Sequence, residues 1–221
     1  MPGAGAGVVG AIVVAAGRGD RFGGPKRFLE LAGVRLVDRA VTACTDVCDA
    51  VVVVLPPGVA WDGPAVHAAV RGGATRSDSV RAGLAALPTT VDVVVVHDAA
   101  RPLASRAVFD AVIDAVRAGA DAAVPGLPVA DTLKRVDEGA RVTETVARDD
   151  LVAVQTPQAF RADALRAAHD GEHTATDDAA LVERRGGCVV VVPGEVTNAK
   201  ITAPSDLEVA AAVLAARGGA A

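Results

Sequence analysis

Runs of consecutive β-branched residues set the strongest limit on the fold of this chain. Val51–Val54 and Val93–Val96 are continuous valine segments with no polar residue at alternate positions. A strand with one face in water alternates apolar and polar residues, whereas a strand covered on both faces is apolar throughout. These runs are therefore typical of parallel strands that are buried between two layers of helices.

Amphipathic segments separate the apolar runs at intervals typical of βαβ units, and this predicts an α/β, mostly parallel sheet flanked by helices. Strands are predicted near Val8–Ala15, Ala50–Leu55, Ala65–Val70, Val91–Val96, Ala122–Pro125 and Cys188–Val192. Helices are predicted near Leu36–Cys44, Ser77–Leu87, Ser105–Ala118, Ala162–His169, Asp177–Arg185 and Ser205–Ala216. The length of 221 residues suits one domain, and we expect residues 1–221 to form it.

One segment breaks this rhythm. From Asp131 to Gln155, charged or polar residues alternate with apolar ones around a turn at residues 137–139. The pattern predicts a projecting antiparallel hairpin, inserted in the domain as an arm over about residues 131–156. Because a two-stranded arm is only marginally stable alone, we expect it to pack against a second copy in a homodimer.

Charge and hydropathy exclude several classes of protein. The formal net charge of −5 gives no general attraction to nucleic acid or to an anionic membrane. No apolar run approaches the roughly 18 residues that a membrane helix needs. The segment before the first predicted strand, Met1–Gly7, lacks the Lys or Arg of a secretory leader. We therefore expect a cytoplasmic protein without membrane or nucleic-acid partners.

The cysteines and histidines show no metal-binding pattern. Cys44, Cys48 and Cys188 form an odd set without paired zinc spacing, and we expect the first two to be buried in a reduced protein. Gly171 between His169 and His173 disfavours a shared helix face. We expect these two histidines to lie on the surface.

A loop rich in glycine and cationic side chains follows the first predicted strand and contains Gly17, Arg18, Gly19, Arg21, Gly23, Gly24 and Lys26. Glycine lets backbone N–H groups approach an anion closely, because no Cβ stands in the way. Arginine and lysine add the positive charge that a polyphosphate requires. The loop therefore predicts a phosphate site.

Two familiar phosphate loops do not fit this segment. A P-loop needs Ser or Thr after Gly-Lys, but Arg27 follows Lys26 here. A dinucleotide fingerprint needs Gly-x-Gly-x-x-Gly, but Phe22 stands at the third glycine position after Gly17 and Gly19. The sequence thus disfavours a nicotinamide enzyme.

A second polar cluster, from His97 to Pro102, follows the strand near Val91–Val96. Ligands of open α/β sheets bind outside the carboxyl ends of the strands. Asp98 is therefore placed to hold Mg²⁺ against a triphosphate, since this ion prefers one or two carboxylates together with phosphate oxygens. The alternative is an Asp98–Arg101 pair that closes a surface turn.

A third cluster, Gly72-Gly73-Ala74-Thr75-Arg76-Ser77-Asp78-Ser79, follows the strand near Ala65–Val70. The glycines permit a base or ribose to lie against the backbone, and the Ser79 hydroxyl can contact a base edge. The alternative is the start of a helix with Ser77 as its N-cap, and both interpretations are compatible.

Together these segments resemble the 2-C-methyl-D-erythritol 4-phosphate cytidylyltransferase family, in order from about Val8 to Leu214. The motifs that carry the resemblance are Ala15-Ala16-Gly17-x-Gly19-x-Arg21-Phe22, Pro25-Lys26, Gly72-Gly73-x-x-Arg76-x-x-Ser79-Val80, His97-Asp98-Ala99-Ala100-Arg101-Pro102, Asp131-Thr132-Leu133-Lys134, Thr156-Pro157-Gln158-x-Phe160, Thr176-Asp177 and Asn198-x-Lys200. Single pieces occur in many nucleotidyltransferases, but the ordered set is specific.

The resemblance implies a Rossmann-like sheet. It also implies that CTP and 2-C-methyl-D-erythritol 4-phosphate (methylerythritol phosphate) are joined, with Mg²⁺, to give the CDP-linked alcohol and pyrophosphate in isoprenoid precursor synthesis. It assigns stabilisation of the transition state to Arg21 and Lys26. It implies that the methylerythritol phosphate is positioned by Thr132, Arg148, Thr156 and Lys200. It implies a cytidine site at Ala15, Ala16, Gly17, Gly73 and Ser79, and a metal ligand at Asp98. Members are homodimers whose arms reach the partner's active site, in agreement with the predicted hairpin.

The chemistry needs no general base, because the second pKa of a phosphomonoester lies near 6 and the nucleophile is already an anion. The task is to bring two polyanions together and to neutralise the charge that grows on the reacting oxygens. The need is met by Mg²⁺ and three predicted catalytic cations, Arg21, Lys26 and Lys200. Arg148 offers a fork-shaped donor to the second phosphate. The lack of a His–carboxylate pair suited to proton transfer therefore agrees with this reaction.

The chain departs from the pattern of some relatives at two positions. Thr197 replaces an acidic residue of some relatives, so a second protein ligand to the metal is in doubt, and Ala74 replaces an Asp near the cytosine. The chain ends soon after Leu214, so we expect no fused cyclodiphosphate synthase domain.

Two alternative functions stay open. Ribitol 5-phosphate cytidylyltransferases share most of these motifs. A non-catalytic nucleotide-binding regulator is a further alternative, although it has no need for Lys26, Arg148 and Lys200 together.

Overall fold

A computed structural model describes residues 7–17, 29–171, 175 and 177–218. Its strands are β1 (Val8–Val14), β2 (Glu30–Leu31), β3 (Val34–Arg35), β4 (Ala50–Leu55), β5 (Ala68–Arg71), β6 (Val91–Asp98), β7 (Ala122–Pro128), β8 (Leu133–Val136), β9 (Val142–Val146), β10 (Val152–Val154), β11 (Gln158–Arg161) and β12 (Val189–Pro193). Its helices are α1 (Leu36–Thr45), α2 (Arg76–Ala86), α3 (Arg106–Arg117), α4 (Ala162–Ala168), α5 (Ala179–Arg184) and α6 (Pro204–Gly218).

The central sheet has eight strands in the order β10-β7-β11-β6-β1-β4-β5, with β12 also paired to β7. Strand β1 runs parallel to β4 and β6, β4 runs parallel to β5, and β12 runs parallel to β7. The exceptions are β10 and β11, which are antiparallel to their neighbours. The prediction of an α/β, mostly parallel sheet flanked by helices is thus confirmed.

The valine runs are buried on both faces of the sheet, as predicted. Val51 and Val53 pack in a core cluster with α1 and α3, whereas Val52 and Val54 belong to the cluster on the opposite face, with α2 and α4. Successive side chains of a strand point to opposite faces, so a strand between two helical layers must be apolar at every position. The predicted burial of Cys44 is also confirmed, whereas Cys48, predicted to be buried as well, is half-buried.

Helix α2 begins at Arg76 because Thr75 forms a capping box with Asp78. The Thr75 hydroxyl accepts a hydrogen bond from the Asp78 N–H, and the Asp78 carboxylate accepts one from the Thr75 N–H. The prediction of Ser77 as the N-cap is therefore wrong, since Ser77 lies buried in the first turn of the helix. Asp177 accepts from the Ala180 N–H at 3.0 Å and so satisfies one of the N–H groups at the start of α5.

A two-stranded antiparallel hairpin of β8 and β9 occupies most of the predicted arm. Its turn is held by Asp137, whose Oδ1 accepts hydrogen bonds from the N–H groups of Gly139 and Arg141, each at 2.9 Å. The hairpin is shorter than the predicted 131–155 segment, because Val152–Val154 pairs with β7 in the main sheet instead. None of the helices in the described part of the chain combines the length and the apolar character that crossing a membrane requires.

The packing of this arm against a second copy stays a prediction, and two exposed valines at the end of the hairpin test it. Val136 and Val142 face each other across the strands with 55% and 59% of their surface exposed. If they lie at an interface, Val136→Lys with Val142→Lys shifts the protein from dimer to monomer in sedimentation velocity, because two charges are buried without partners. The control Val209→Lys changes a similarly exposed valine on α6 and leaves the dimer intact. Wild-type protein that sediments as a monomer at assay concentration contradicts the prediction.

Candidate active site

The carboxyl ends of the central parallel strands meet at one edge of the sheet. Ala15, which follows β1, donates its N–H to Val54 O at 2.9 Å. Gly72, which follows β5, donates its N–H to Leu55 O at 2.7 Å. Asp98 is the last residue of β6, which pairs with β1. The three clusters that the sequence placed at strand ends therefore begin side by side.

Asp98 lies at the centre of this edge with its carboxylate between two cations. Lys200 Nζ contacts Oδ2 at 2.6 Å, and Arg76 Nε lies 3.6 Å from Oδ1. Burial alone raises the pKa of Asp98, but the charges of Arg76 and Lys200 outweigh burial and lower it to about 2. The carboxylate is therefore an anion throughout the neutral range, as a metal ligand must be.

Lys200 reaches Asp98 because the segment after β12 is hydrogen-bonded to the end of β6. Asn198 is fully buried and donates its side-chain N–H to Thr156 O at 2.9 Å. Arg101 donates through Nη1 to Asn198 O at 2.7 Å. The predicted Asp98–Arg101 alternative is therefore half right: the Arg101 N–H closes the turn by donating to Asp98 O at 2.9 Å, but its guanidinium turns to Asn198.

Thr156 lies beneath Asp98, and its hydroxyl is used within the protein. Its Oγ1 accepts from the Asp98 N–H at 3.1 Å and lies 3.3 Å from His97 Nδ1. His97 Nε2 lies 3.1 Å from Arg101 O, and since a carbonyl only accepts, Nε2 carries the ring proton. Nδ1 is then the acceptor for the Thr156 hydroxyl proton. Burial lowers the pKa of His97 to about 4, which keeps this neutral tautomer at pH 7.

Gly72 brings the end of β1 against the start of α2. A Cβ added to Gly72 would lie 2.5 Å from Ala16 Cβ and 2.7 Å from Ser79 Oγ. Only glycine therefore allows these segments to approach so closely. The Ser79 hydroxyl is buried and donates to Thr75 O at 3.0 Å, which leaves its oxygen free to act as an acceptor. Gly73 is exposed beside this contact.

The other predicted site residues divide into two groups. Arg21, Lys26 and Thr176, like His173, lie outside the residues that the structure describes. Thr132 and Arg148 are exposed at the base of the arm, before β8 and after β9. Within residues 29–171 and 177–218, no hydrogen bond or ion pair joins either of them to Asp98 or Lys200. Their roles stay predictions.

Among the described residues, no group of three or more His, Cys, Asp or Glu side chains is arranged to hold a metal. A single carboxylate nevertheless fits Mg²⁺ when nucleotide phosphates supply further oxygens, because this ion is held by one or two carboxylates and keeps water or phosphate ligands. Thr197 accepts from Arg217 Nη2 at 2.9 Å, so its hydroxyl is engaged elsewhere. Asp98 is therefore the carboxylate at this edge of the sheet whose chemistry fits such an ion.

Sequence reasoning missed a chain of buried polar residues behind Asp98. His169 was expected at the surface, but it is 5% exposed and its Nε2 lies 2.9 Å from Asp178 Oδ1. Asp178 is fully buried and accepts from Arg76 Nη1 at 2.5 Å. The signal that the sequence offers is the adjacent pair Asp177-Asp178. In the structure Asp177 accepts from the Ala180 N–H at the start of α5, and Asp178 is buried.

The chain is similar to several known proteins. A family model described as 2-C-methyl-D-erythritol 4-phosphate cytidylyltransferase matches residues 9–216. A protein of that name from Streptomyces avermitilis is 46% identical over 94% of this chain and 92% of the relative. One from Saccharopolyspora erythraea is 48% identical over 93% of this chain and 98% of the relative. A bifunctional IspD/IspF enzyme from Clavibacter michiganensis is 46% identical over 96% of this chain, which spans 56% of that longer protein.

Solved structures of similarly named proteins share the fold over nearly their whole length. The 2-C-methyl-D-erythritol 4-phosphate cytidylyltransferase of Thermus thermophilus superposes with a TM-score of 0.80 at 40% identity, covering 93% of this chain and 98% of its own. The enzyme from Francisella tularensis gives a TM-score of 0.80 at 29% identity, covering 92% and 98%.

The neutral, buried His97 predicts a pH dependence of stability. Its pKa of about 4 lies below the ordinary value near 6.5, so the unfolded chain binds a proton that the folded chain rejects between these values. Stability therefore falls as the pH drops through this window, by about 2 kcal/mol between pH 7 and pH 5. Urea denaturation at both pH values measures the free energy of unfolding. In His97→Gln, which keeps one donor and one acceptor, the decrease of this free energy from pH 7 to pH 5 is smaller by that amount. An equal decrease in the two proteins contradicts the low pKa of His97.

Proposed function

Because the chain belongs to the 2-C-methyl-D-erythritol 4-phosphate cytidylyltransferase family, we propose that it transfers CMP from CTP to 2-C-methyl-D-erythritol 4-phosphate and releases pyrophosphate, in the non-mevalonate route to isoprenoid precursors. The observation that carries the proposal is the Asp98 carboxylate between Lys200 and Arg76, at the strand ends where α/β folds bind ligands. We propose that residues 1–221 act as a single catalytic domain with the arm inserted.

We propose that CTP lies along the backbone at Ala15, Ala16, Gly17 and Gly73, with its base directed towards Ser79. The close contact of Gly72 with Ala16 and Ser79 supports this, because it brings both backbone segments to one place. The Ser79 hydroxyl gives its proton to Thr75 O and keeps an acceptor oxygen. The amino group of cytosine is a donor, so it complements that oxygen.

Asp98 would hold the divalent cation that accompanies the triphosphate. When bound, Mg²⁺ would neutralise charge on the phosphate oxygens and so favour the departure of pyrophosphate. The two oxygens of Asp98 are not equivalent, because Oδ2 is bonded to Lys200 at 2.6 Å, whereas the cation that the described residues place near Oδ1 is Arg76, at 3.6 Å. Oδ1 is therefore the oxygen that we assign to the cation, and Lys200 remains beside it to meet the second substrate.

In the proposed reaction, an oxygen of the acceptor phosphate attacks the α-phosphorus of CTP, a new P–O bond forms, and the bond to pyrophosphate breaks in line. Pyrophosphate leaves with the electron pair, so no proton has to be removed from the nucleophile near neutral pH. We assign charge stabilisation at the α-phosphate to Arg21, Lys26 and Lys200. Positioning of the acceptor phosphate falls to Thr132, Arg148 and Lys200.

We propose that Thr156 does not donate a hydrogen bond to the substrate, because its hydroxyl is engaged within the protein. Its hydroxyl proton is directed to His97 Nδ1, and its oxygen accepts from the Asp98 N–H. We therefore propose that Thr156 fixes the backbone of Asp98 and helps the acceptor only through that residue. The bond between Asn198 and Thr156 O ties the same strand end to the segment that carries Lys200.

The proposed function predicts a defined substrate preference. Purified protein with Mg²⁺ and CTP releases pyrophosphate with methylerythritol phosphate, and it does so much more slowly with ribitol 5-phosphate at equal concentration. A coupled pyrophosphate assay measures both rates, and omission of the polyol phosphate is the control. Preference for ribitol 5-phosphate assigns the alternative substrate, and CTP binding without pyrophosphate release from either polyol points to a regulator.

The Gly72 contact predicts a loss of CTP affinity on addition of one methyl group. Gly72→Ala places a Cβ within 2.5 Å of Ala16 Cβ, so the two backbone segments must separate. Overpacking of this kind costs about 1–3 kcal/mol, and we expect the Kd for CTP in calorimetry to rise on the order of tenfold or more. Gly218→Ala adds the same methyl group where nothing lies within 4 Å and leaves the Kd unchanged. Unchanged affinity in Gly72→Ala removes this segment from the nucleotide site.

A further inference from the structure

Arg76 lies between two aspartates and binds them unequally. Its Nη1 is 2.5 Å from Asp178 Oδ2, whereas its Nε is 3.6 Å from Asp98 Oδ1. Hydrogen bonds from N–H groups to oxygen span about 2.7–3.2 Å, and bonds between charged groups are the shorter ones, so the first contact, which is shorter than this range, is a charge-assisted hydrogen bond, whereas the second is too long for one. The guanidinium is thus held by Asp178 at a distance from Asp98.

Asp178 is itself fixed in place. It is fully buried immediately before α5, and its second oxygen, Oδ1, lies 2.9 Å from His169 Nε2 at the end of α4. A carboxylate oxygen accepts, so Nε2 is the protonated nitrogen and His169 is the donor. Both oxygens of Asp178 are therefore engaged, and three helices hold the position of the Arg76 guanidinium.

We propose that Asp178 is a positioning residue that draws Arg76 away from Asp98 and so keeps Asp98 Oδ1 open for the divalent cation that accompanies the nucleotide. The inference rests on the proposed function, because it concerns the cation that Asp98 would hold. A guanidinium and a divalent cation compete for the same carboxylate oxygen. An arginine beside a single aspartate tends to form two parallel hydrogen bonds with it, and these would occupy Oδ1 as well as crowd Oδ2.

The second carboxylate also explains why an arginine can remain so near a metal ligand. Burial alone lowers the pKa of Arg76, but the charges of Asp178 and Asp98 outweigh it and raise the pKa above its usual value. The arginine thus stays charged and compensates two buried carboxylates, each of which is costly to bury without a partner. With Asp178 as its nearer partner, Arg76 supplies this compensation without a hydrogen bond to Oδ1.

Asp178→Asn tests the proposal, because the amide keeps the shape of the side chain and removes its charge. Arg76 is then free to bond Asp98, and the Mg²⁺ concentration that gives half-maximal CTP binding in calorimetry rises on the order of tenfold, the effect expected from one hydrogen bond between charged groups. CTP affinity at saturating Mg²⁺ stays within about twofold of wild type on the same reasoning, since an excess of the cation displaces the arginine. The matched control is Asp163→Asn, which breaks an exposed pair with Arg161 and leaves the Mg²⁺ requirement unchanged.

A double variant separates positioning from structural damage. In Arg76→Gln with Asp178→Asn, the competitor for Oδ1 is gone together with its partner, so the Mg²⁺ requirement returns to the wild-type value or below it. A merely structural role predicts the opposite, a double variant at least as impaired as the single one. The double variant also decides the question if the single variant gives no cooperative thermal transition, since a neutral pair replaces the broken ion pair.

The outcomes keep the two proposals apart. A raised Mg²⁺ requirement in Asp178→Asn that is reversed in the double variant supports the positioning role. An unchanged requirement in Asp178→Asn, or a double variant that needs more Mg²⁺ than wild type, overturns it. If wild-type protein binds no CTP at any Mg²⁺ concentration, the proposed function fails. If wild-type protein binds CTP and Asp178→Asn needs the same Mg²⁺ concentration for it, only the positioning role is contradicted.

Discussion

The site depends on one buried negative charge, the carboxylate of Asp98 at the end of β6. A carboxylate that is removed from water needs opposite charge nearby, and the structure supplies it from two directions, through Lys200 and Arg76. These partners come from separate parts of the chain, so the ion pairs join the start of α2, the last residue of the central strand and the segment after β12. Charge compensation at the Asp98 carboxylate thus brings together the parts of the candidate active site.

The surrounding hydrogen bonds give this assembly its precision. His97 and Thr156 fix the backbone of Asp98 from below, while Asn198 and Arg101 hold the segment that presents Lys200. Because most of these groups are buried, each bond that is lost would leave an unsatisfied polar atom, which is costly in a low-dielectric interior. The polar network is therefore well suited to hold side chains in place, and the reaction proposed for the site requires little else from the protein.

The sequence reveals those parts of this design that depend on local pattern. The valine runs predict buried parallel strands because both faces of such a strand are covered, and the strand ends locate Asp98 and Gly72. The pattern does not reveal β11, since four residues with the buried Gln158 at one end look like a loop until β6 and β7 flank them. His169 shows the same limit, because its burial follows from a partner, Asp178, whose position depends on tertiary packing. Arg76 was visible within a motif, but its two unequal contacts required coordinates.

The position of β11 between β6 and β7 has a consequence for the order of events during translation. Strands β6 and β7 precede the hairpin arm, whereas β11 follows it, and yet β11 pairs with both in the finished sheet. The central sheet therefore cannot be completed until the chain has been synthesised as far as Arg161. Until then the facing edges of β6 and β7 lack their partner strand, and unpaired strand edges are sites where other chains can pair.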